Sequence, residues 1–519
     1  MRWGGRAPYI LLLLIFGAAV FLRFYRIMSP MDLPGSSTPL GYNGVDEGIH
    51  LMSGRLAAGN YSMYTDVNPQ QGPFVMMFYT MIGGDLLLAR STTALVSLLG
   101  LLCVVMIGRM VGRKWTYVTA AALLVVNYEF LKESRHASPD MFSASLLAAG
   151  FLFLLHYIKR MEPQKERQED RVKASSMALL MISGMFLAAA VMSKLYAAVP
   201  VFFVGLYILI RILSSKDPRW RFNKFRTLEL FTLALSTLIF VLVMMSFFGF
   251  GATFRGMFLD NLHRPPQEIA GKLNSIGDFL LFTSVPLILA VVISIMKRKR
   301  PEVIILSLWT FPLLIFFMVQ QLTWTHYFVL LIPPISVLAG LCVEEAAGSM
   351  RSEAGHEPGE GNLKGKLTKD SIFRSLPIIM VVIFSVLSLG FSTTTVLYSS
   401  DPIEESIADD VREQTSEGEF VISGDPLIPL LADRDQPPDA TNLAVVRFPE
   451  LTSEELINIT IEYDVRIVVL TYHLSSYPGY ISWVQENFGF FRAYERPDRT
   501  SETEGDIPIG KRTFNMYHR

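Results

Sequence analysis

Apolar runs of membrane-crossing length dominate this chain and exclude most folds. A helix needs roughly 20 apolar residues to cross a bilayer. About eleven stretches qualify: 8–27, 89–111, 115–132, 140–158, 175–193, 195–213, 227–249, 277–296, 302–319, 326–343 and 374–397. Hydrophobic residues make up 51% of the 519 and charged residues 18%, against about a quarter charged in soluble domains. The expected fold class is therefore an α-helical multi-pass membrane protein with about 11 transmembrane helices. A net charge of −1 offers no reason to expect a nucleic-acid partner. Cys103 and Cys342 fall inside apolar runs and read as packing residues, with no bearing on redox compartment. The N-terminus resembles a signal peptide, but no clean small-residue cleavage site follows, so it reads as an uncleaved first span with Arg2 and Arg6 inside.

Charge sets the orientation, because cytoplasmic loops collect Lys and Arg. The basic loops are Gly112–Lys114 with Arg109, 159–173, 214–226, "KRKR" at 297–300 and the charged loop 344–373. They share the side of Arg2 and Arg6 only if the short apolar stretch 73–84 does not cross. That stretch is expected to be an interfacial or re-entrant helix on the outer face. Residues 28–88, 133–139, 250–276, 320–325 and the tail then face outward, and 28–88 holds a single basic residue, Arg55. The sequons at Asn60 and Asn458 fall on the same side. The expected organisation is a transmembrane catalytic domain, 1–397, and a small extracytoplasmic α/β domain, 398–519. Within the tail, 419–423, 465–471 and 511–518 read as strands, and 452–464 and 480–488 as helices, the first opened by a capping box from Thr452 or Ser453 to Glu455. The polar, Gly-rich 350–370 reads as a flexible cytoplasmic loop. Spans without paired halves and with few internal charges weaken a transporter reading.

Polar groups gather where outer loops meet helix ends. They are Asp46, Glu47 and His50; Asn68, Gln70 and Gln71; Arg90; Arg135, His136 and Asp140; Lys194; His263 and Arg264; His326 and Tyr327. Acid beside base at membrane depth suits a phosphate-linked lipid. A carboxylate near an attacking hydroxyl can take its proton, and Lys or Arg aimed at a phosphate leaving group stabilise its developing charge. Such charges cost about 2.5–3.5 kcal/mol each near the bilayer centre. Lys194 is the sharpest case, because it interrupts an apolar run from 175 to 213. Each residue also has a plainer reading. Asp46, Glu47 and Asp140 sit where helix N-termini favour acids. Lys194 would mark a turn and snorkel outward, and Arg135 and His136 would be solvated. Arg90 would neutralise an acid, Tyr327 would anchor at the interface, and His50 and His326 would be packing residues. Joint placement on one face favours chemistry. Asp and His are available for a divalent metal, but their spacing fixes no site.

An early span, then "VDEG", then "NPQQGPF" entering an apolar stretch, then "ESRHASPDMF", "SKLYAAVPV" and "HYFVLLIPPISVLAG", resembles the polyprenyl-phosphate-sugar glycosyltransferases of the GT-C class, in particular the protein O-mannosyltransferase and lipid A aminoarabinose transferase group. The resemblance covers about 1–345. It implies a sugar donor on dolichyl- or undecaprenyl-type phosphate and a protein, lipid or glycan acceptor. It implies catalytic acids at Asp46 and Glu47, with Asp46 as general base in an inverting transfer. Donor phosphate would be met by Lys194, Arg264 and Arg135. Asp140 matches the acid opening the fourth span and Tyr327 the aromatic of a late motif, with His136, His263 and Gln71 as further support. Many relatives carry His-Pro-Pro-Leu or Lys-Pro-Pro-Leu where this chain has Asn68-Pro69-Gln70-Gln71-Gly72-Pro73. The expected location is a prokaryotic plasma membrane, with the site outside. A flippase for lipid-linked saccharides stays open as the alternative.

Overall fold

The computed structural model describes residues 7–29, 44–160, 169–214, 224–354, 369–397, 403–443, 451–495 and 513–519. The chain is a multi-pass membrane protein. Among these residues ten helices are long and apolar enough to cross a bilayer, and Lys114–Val126 is a shorter apolar helix. Together they answer the eleven expected spans. The first nine helices are α1 (Ala7–Phe24), α2 (Gly44–Ala58), α3 (Pro73–Met81), α4 (Leu86–Val111), α5 (Lys114–Val126), α6 (Tyr128–Glu133), α7 (Pro139–Arg160), α8 (Glu169–Ser193) and α9 (Ala198–Ser214). Five more of span length follow, at Lys224–Phe247, Ile269–Met296, Pro301–Val319, Ile332–Ala354 and Lys369–Leu397. Nine residues give α3 a length of about 13 Å, far below the ~30 Å hydrocarbon core. Arg2 and Arg6 lie outside the described residues, as do parts of 159–173, 214–226 and 344–373 and most of 350–370.

The run 115–132 is broken rather than continuous. Asn127 leaves the helix (φ −66°, ψ 120°), accepts from Phe130 N through Oδ1 at 3.0 Å, and donates through Nδ2 to Phe282 O at 2.9 Å. An Asn side chain competes with the helix backbone for its own hydrogen bonds. The break separates α5 from the short helix α6.

The two ends of the bundle differ. Arg90, in the first turns of α4, pairs with Glu47 of α2. Val111, in its last turn, accepts through its carbonyl from Arg300 at 2.6 Å. Twenty-six helical residues separate these ends by about 39 Å. At the Val111 end Glu344 accepts from the N–H of Trp115 (2.6 Å) and Thr116 (3.2 Å), Lys297 pairs with Glu345 (2.8 Å) and Lys159 donates to Met110 O. The short basic loops thus share one end, and α2 and α3 occupy the other. The spans most enclosed by protein are α7 and Thr325–Ser349. The lipid-side helices leave large apolar residues exposed, such as Val386 and Leu387.

The tail forms a four-stranded sheet from β1 (Val421–Ser423), β2 (Ile467–Leu470), β3 (Gly489–Glu495) and β4 (Thr513–His518), ordered β1-β2-β4-β3. β1 and β2 are parallel, and the other pairs antiparallel. Alternate residues feed two cores. Ile422, Val468 and Tyr517 face one, and Val421, Ile467 and Met516 the other. The capping box at Thr452 and Glu455 opens the helix Ser453–Glu462. The sequence pattern does not announce β3, because a register shift between Phe490 and Arg492 breaks its two-residue period.

This sheet docks on α2. The helix Leu427–Leu431, which follows β1, shares an apolar core with Leu51, Met52 and Tyr79 through Leu427 and Leu430. Arg55 bonds Asp433 at 2.5 Å and Asp435 at 2.7 Å. At Gly48 an added Cβ would sit 2.4 Å from Leu427 N and 2.9 Å from Pro426 C. Backbone cannot yield as a flexible side chain can, so Gly48→Ala is expected to cost about 1–3 kcal/mol, the range for overpacking. The check is a lower Tm for the purified protein, with Ala57→Gly on the same helix as a control for propensity alone.

Candidate active site

Local sequence explains why each polar group points inward. Pro139 starts α7 and puts Asp140 in its first turn, where the helix dipole favours an acid. Ser138 just before it donates through Oγ to Glu133 Oε2 at 2.5 Å and accepts from Met141 N at 3.3 Å. Lys194 lies between α8 and α9 in extended backbone (φ −148°, ψ 119°). The break frees its side chain to run across the bundle rather than outward along a helix. Its Nζ lies 3.0 Å from Asp140 Oδ2 and 4.9 Å from the centre of the Tyr327 ring, a cation–π contact. Lys194 both marks a turn, as the plainer reading held, and points to the interior, where it is 8% exposed. His326 Nε2 is 3.9 Å from the same Asp140 oxygen.

Asp140, Lys194 and His326 line a small cleft that is open at its mouth. From α2 it takes Asp46, Glu47 and His50, and from the turn before α3 it takes Gln71. Glu133, His136, Asp140, Lys194 and His326 complete its polar wall. Asp46 and His50 are one helical turn apart and share a face. Asp46 lines the part of the cleft that opens to solvent, with protein packed closely around the rest of it. Among the described residues no ion pair or hydrogen bond holds its side chain. Burial raises its carboxyl above the ordinary range, opposed by the charges of Lys194, Arg264 and Lys132.

Glu47, its neighbour, is engaged elsewhere. Arg90 grips it with two bonds, Nε to Oε1 at 2.9 Å and Nη2 to Oε2 at 2.6 Å, and Ala137 N donates to Oε1 at 2.7 Å. Arg90 also donates to Met28 O at 2.7 Å. The pair therefore clamps α1, α2, α4 and the loop before α7. Burial would raise the Glu47 carboxyl, but the charge and hydrogen bonds of Arg90 outweigh it and hold it below the ordinary range. Glu47→Gln leaves Arg90 buried without its counter-charge. The expected loss is about 3–5 kcal/mol, read as a lower Tm.

The remaining expected residues divide. Arg135 donates to the carbonyls of Leu22 (2.7 Å), Tyr25 (2.9 Å) and Arg26 (2.8 Å), capping the end of α1, and does not line the cleft. His263 is exposed, with Nδ1 2.7 Å from Leu259 O. Arg264 bonds Gln70 Oε1 and, like Arg135, is not among the residues that line the cleft, though its charge acts on Asp46. His136 lines the cleft with Nδ1 2.9 Å from Lys132 O, and burial lowers it to about 4, so it is neutral at pH 7. His50 is lowered to about 3 by burial, then by Lys194 and Arg264. Glu133 is a cleft residue that sequence reasoning missed. Burial raises it to about 7 against the pull of Lys132 and Ser138. Its only signal in the sequence was an acid at the start of the outer segment 133–139. Among the described residues no group of three or more His, Cys, Asp or Glu is arranged to hold a metal ion.

A bundle of spans, a short acid-bearing helix after the first span and an α/β tail docked on that helix give this chain the fold of the GT-C membrane glycosyltransferases. Residues 50–259 match the family described as dolichyl-phosphate-mannose-protein mannosyltransferase. The structure is similar to ArnT from Cupriavidus metallidurans in the apo state (TM-score 0.59, 14% identity, 98% of this chain and 97% of that chain) and bound to undecaprenyl phosphate (TM-score 0.56, 14% identity, 99% and 98%). It is also similar to the archaeal oligosaccharyltransferase AglB from Archaeoglobus fulgidus in complex with an inhibitory peptide and a dolichol-phosphate (TM-score 0.56, 14% identity, 98% and 76%). No curated protein sequence matches the chain.

Proposed function

We propose that this protein transfers a sugar from a polyprenyl-phosphate donor, dolichyl- or undecaprenyl-type, to an acceptor on the extracytoplasmic side, with inversion. The observation that carries this reading is the convergence of an unengaged carboxylate, Asp46, with Lys194 in one cleft at the α2 end of the bundle. The acceptor's hydroxyl or amine attacks the anomeric carbon as its proton passes to Asp46. The bond from that carbon to the phosphate oxygen breaks, and the polyprenyl phosphate leaves with the electron pair. Lys194, with Arg264 near it, stabilises the charge that develops on the leaving oxygen. Asp140 holds the Lys194 ammonium at 3.0 Å and so orients it. Glu47 contributes by fixing α2 through Arg90. The gathering of the short basic loops at the opposite end supports the outward orientation of the cleft.

The test is the purified protein with a labelled polyprenyl-phosphate sugar and candidate acceptors. The expected result is free polyprenyl phosphate together with a glycosylated product of inverted anomeric configuration. Movement of intact lipid-linked saccharide across proteoliposomes, with no bond cleaved, would establish the flippase instead.

A further inference from the structure

We propose that Gln70 is a positioning residue of the donor-phosphate clamp, fixing the orientation of the Arg264 guanidinium. This inference rests on the glycosyl-transfer reading of that cleft.

Gln70 is 4% exposed and has φ +55°, a left-handed conformation that few residues other than Gly or Asn adopt. Packing and hydrogen bonds hold it there. Its N–H donates to Asn68 Oδ1 at 3.1 Å, and its carbonyl accepts from Asn261 Nδ2 at 3.3 Å. Asn68 Nδ2 in turn donates to Asp260 Oδ2 at 2.6 Å. The turn is thereby stitched to the segment that leads into Arg264. Glycine would adopt this backbone freely, but it would lack the side-chain oxygen that the Arg264 guanidinium bonds. Arg264 Nε is buried and, among the described residues, has no hydrogen-bond partner. The bond at Nη2 holds the guanidinium in orientation, and among the described residues no hydrogen bond uses its Nη1 donors, which leaves them for an anion. Two residues on, an added Cβ at Gly72 would lie 2.0 Å from Met192 O and 3.0 Å from Ser193 C. The same turn therefore abuts the chain that enters Lys194, so one segment sets both cations.

The test is a double-mutant cycle of Gln70→Gly and Arg264→Ala in the full chain, read as the Kd for polyprenyl phosphate alone, the KM for donor and acceptor, and Tm. Gln70→Gly is expected to weaken polyprenyl-phosphate binding and raise donor KM by roughly 10–100-fold, the range for a hydrogen bond to a charged group. Acceptor KM stays unchanged. Once Arg264 is Ala, Gln70→Gly has no further effect. Gln70→Asn, with a shorter amide, falls between wild type and Gln70→Gly. Equal losses in both backgrounds, or unchanged binding of polyprenyl phosphate in Gln70→Gly, would overturn the assignment. Wild type that binds polyprenyl phosphate but turns over no donor would sink the transfer reading while the binding cycle still judges Gln70.

Discussion

Asp46→Asn is expected to reduce kcat by roughly 10²–10⁴-fold, the contribution of a positioned general base, while Tm stays at the wild-type value. The two halves of that expectation have separate grounds. Asparagine keeps the shape of the side chain but cannot accept the acceptor's proton. Stability is spared because, among the described residues, no ion pair or hydrogen bond holds this carboxylate. Its pH profile adds a second check. Asp46 works as a base only when ionised, and burial raises its pKa above the ordinary carboxylate value of about 4. Activity should therefore fall on acidification, with a limb above the usual carboxylate range, and the residual activity of Asp46→Asn should lack that limb. Full transfer by Asp46→Asn would remove the base assignment.

Lys194→Met should damage both folding and chemistry, and a second substitution separates them. Removing the ammonium leaves Asp140 as an unpaired carboxylate with 2% exposure. Such half-broken buried pairs cost about 3–5 kcal/mol. Transfer should fall as well, by roughly 10²–10³-fold, the scale of losing one preorganised donor to developing charge. In the double variant Lys194→Met with Asp140→Asn no unpaired charge remains, so Tm should recover most of the loss. Transfer should not recover, since the leaving phosphate still lacks its cation. Restored transfer in the double variant would make Lys194 a structural partner only.

The contrast between Asp46 and Glu47 marks the limit of what adjacent residues reveal. Both are first-turn acids of α2, yet one opens to the cleft and the other is gripped by Arg90, 43 positions away. Arg135 and Arg264 divide in the same manner. Both are outer-face arginines in the sequence, but Arg135 caps α1 from 113 residues away, while Arg264 is held by Gln70 across 194. Glu133 lines the cleft at the end of the short helix that the break at Asn127 separates from α5.

The sequence by itself determined the spans, the helix too short to cross, the gathering of the short basic loops at one end and the capping box at Thr452. Each depends on hydrophobic period, length or charge within a few turns of chain, so neighbouring residues contain the whole signal. Tertiary structure alone decided which charges were neutralised and which stayed available, because a charge acquires its role from partners brought within about 4 Å by packing of distant segments. It also decided that the α/β tail rests on Gly48, where only the missing Cβ permits the approach.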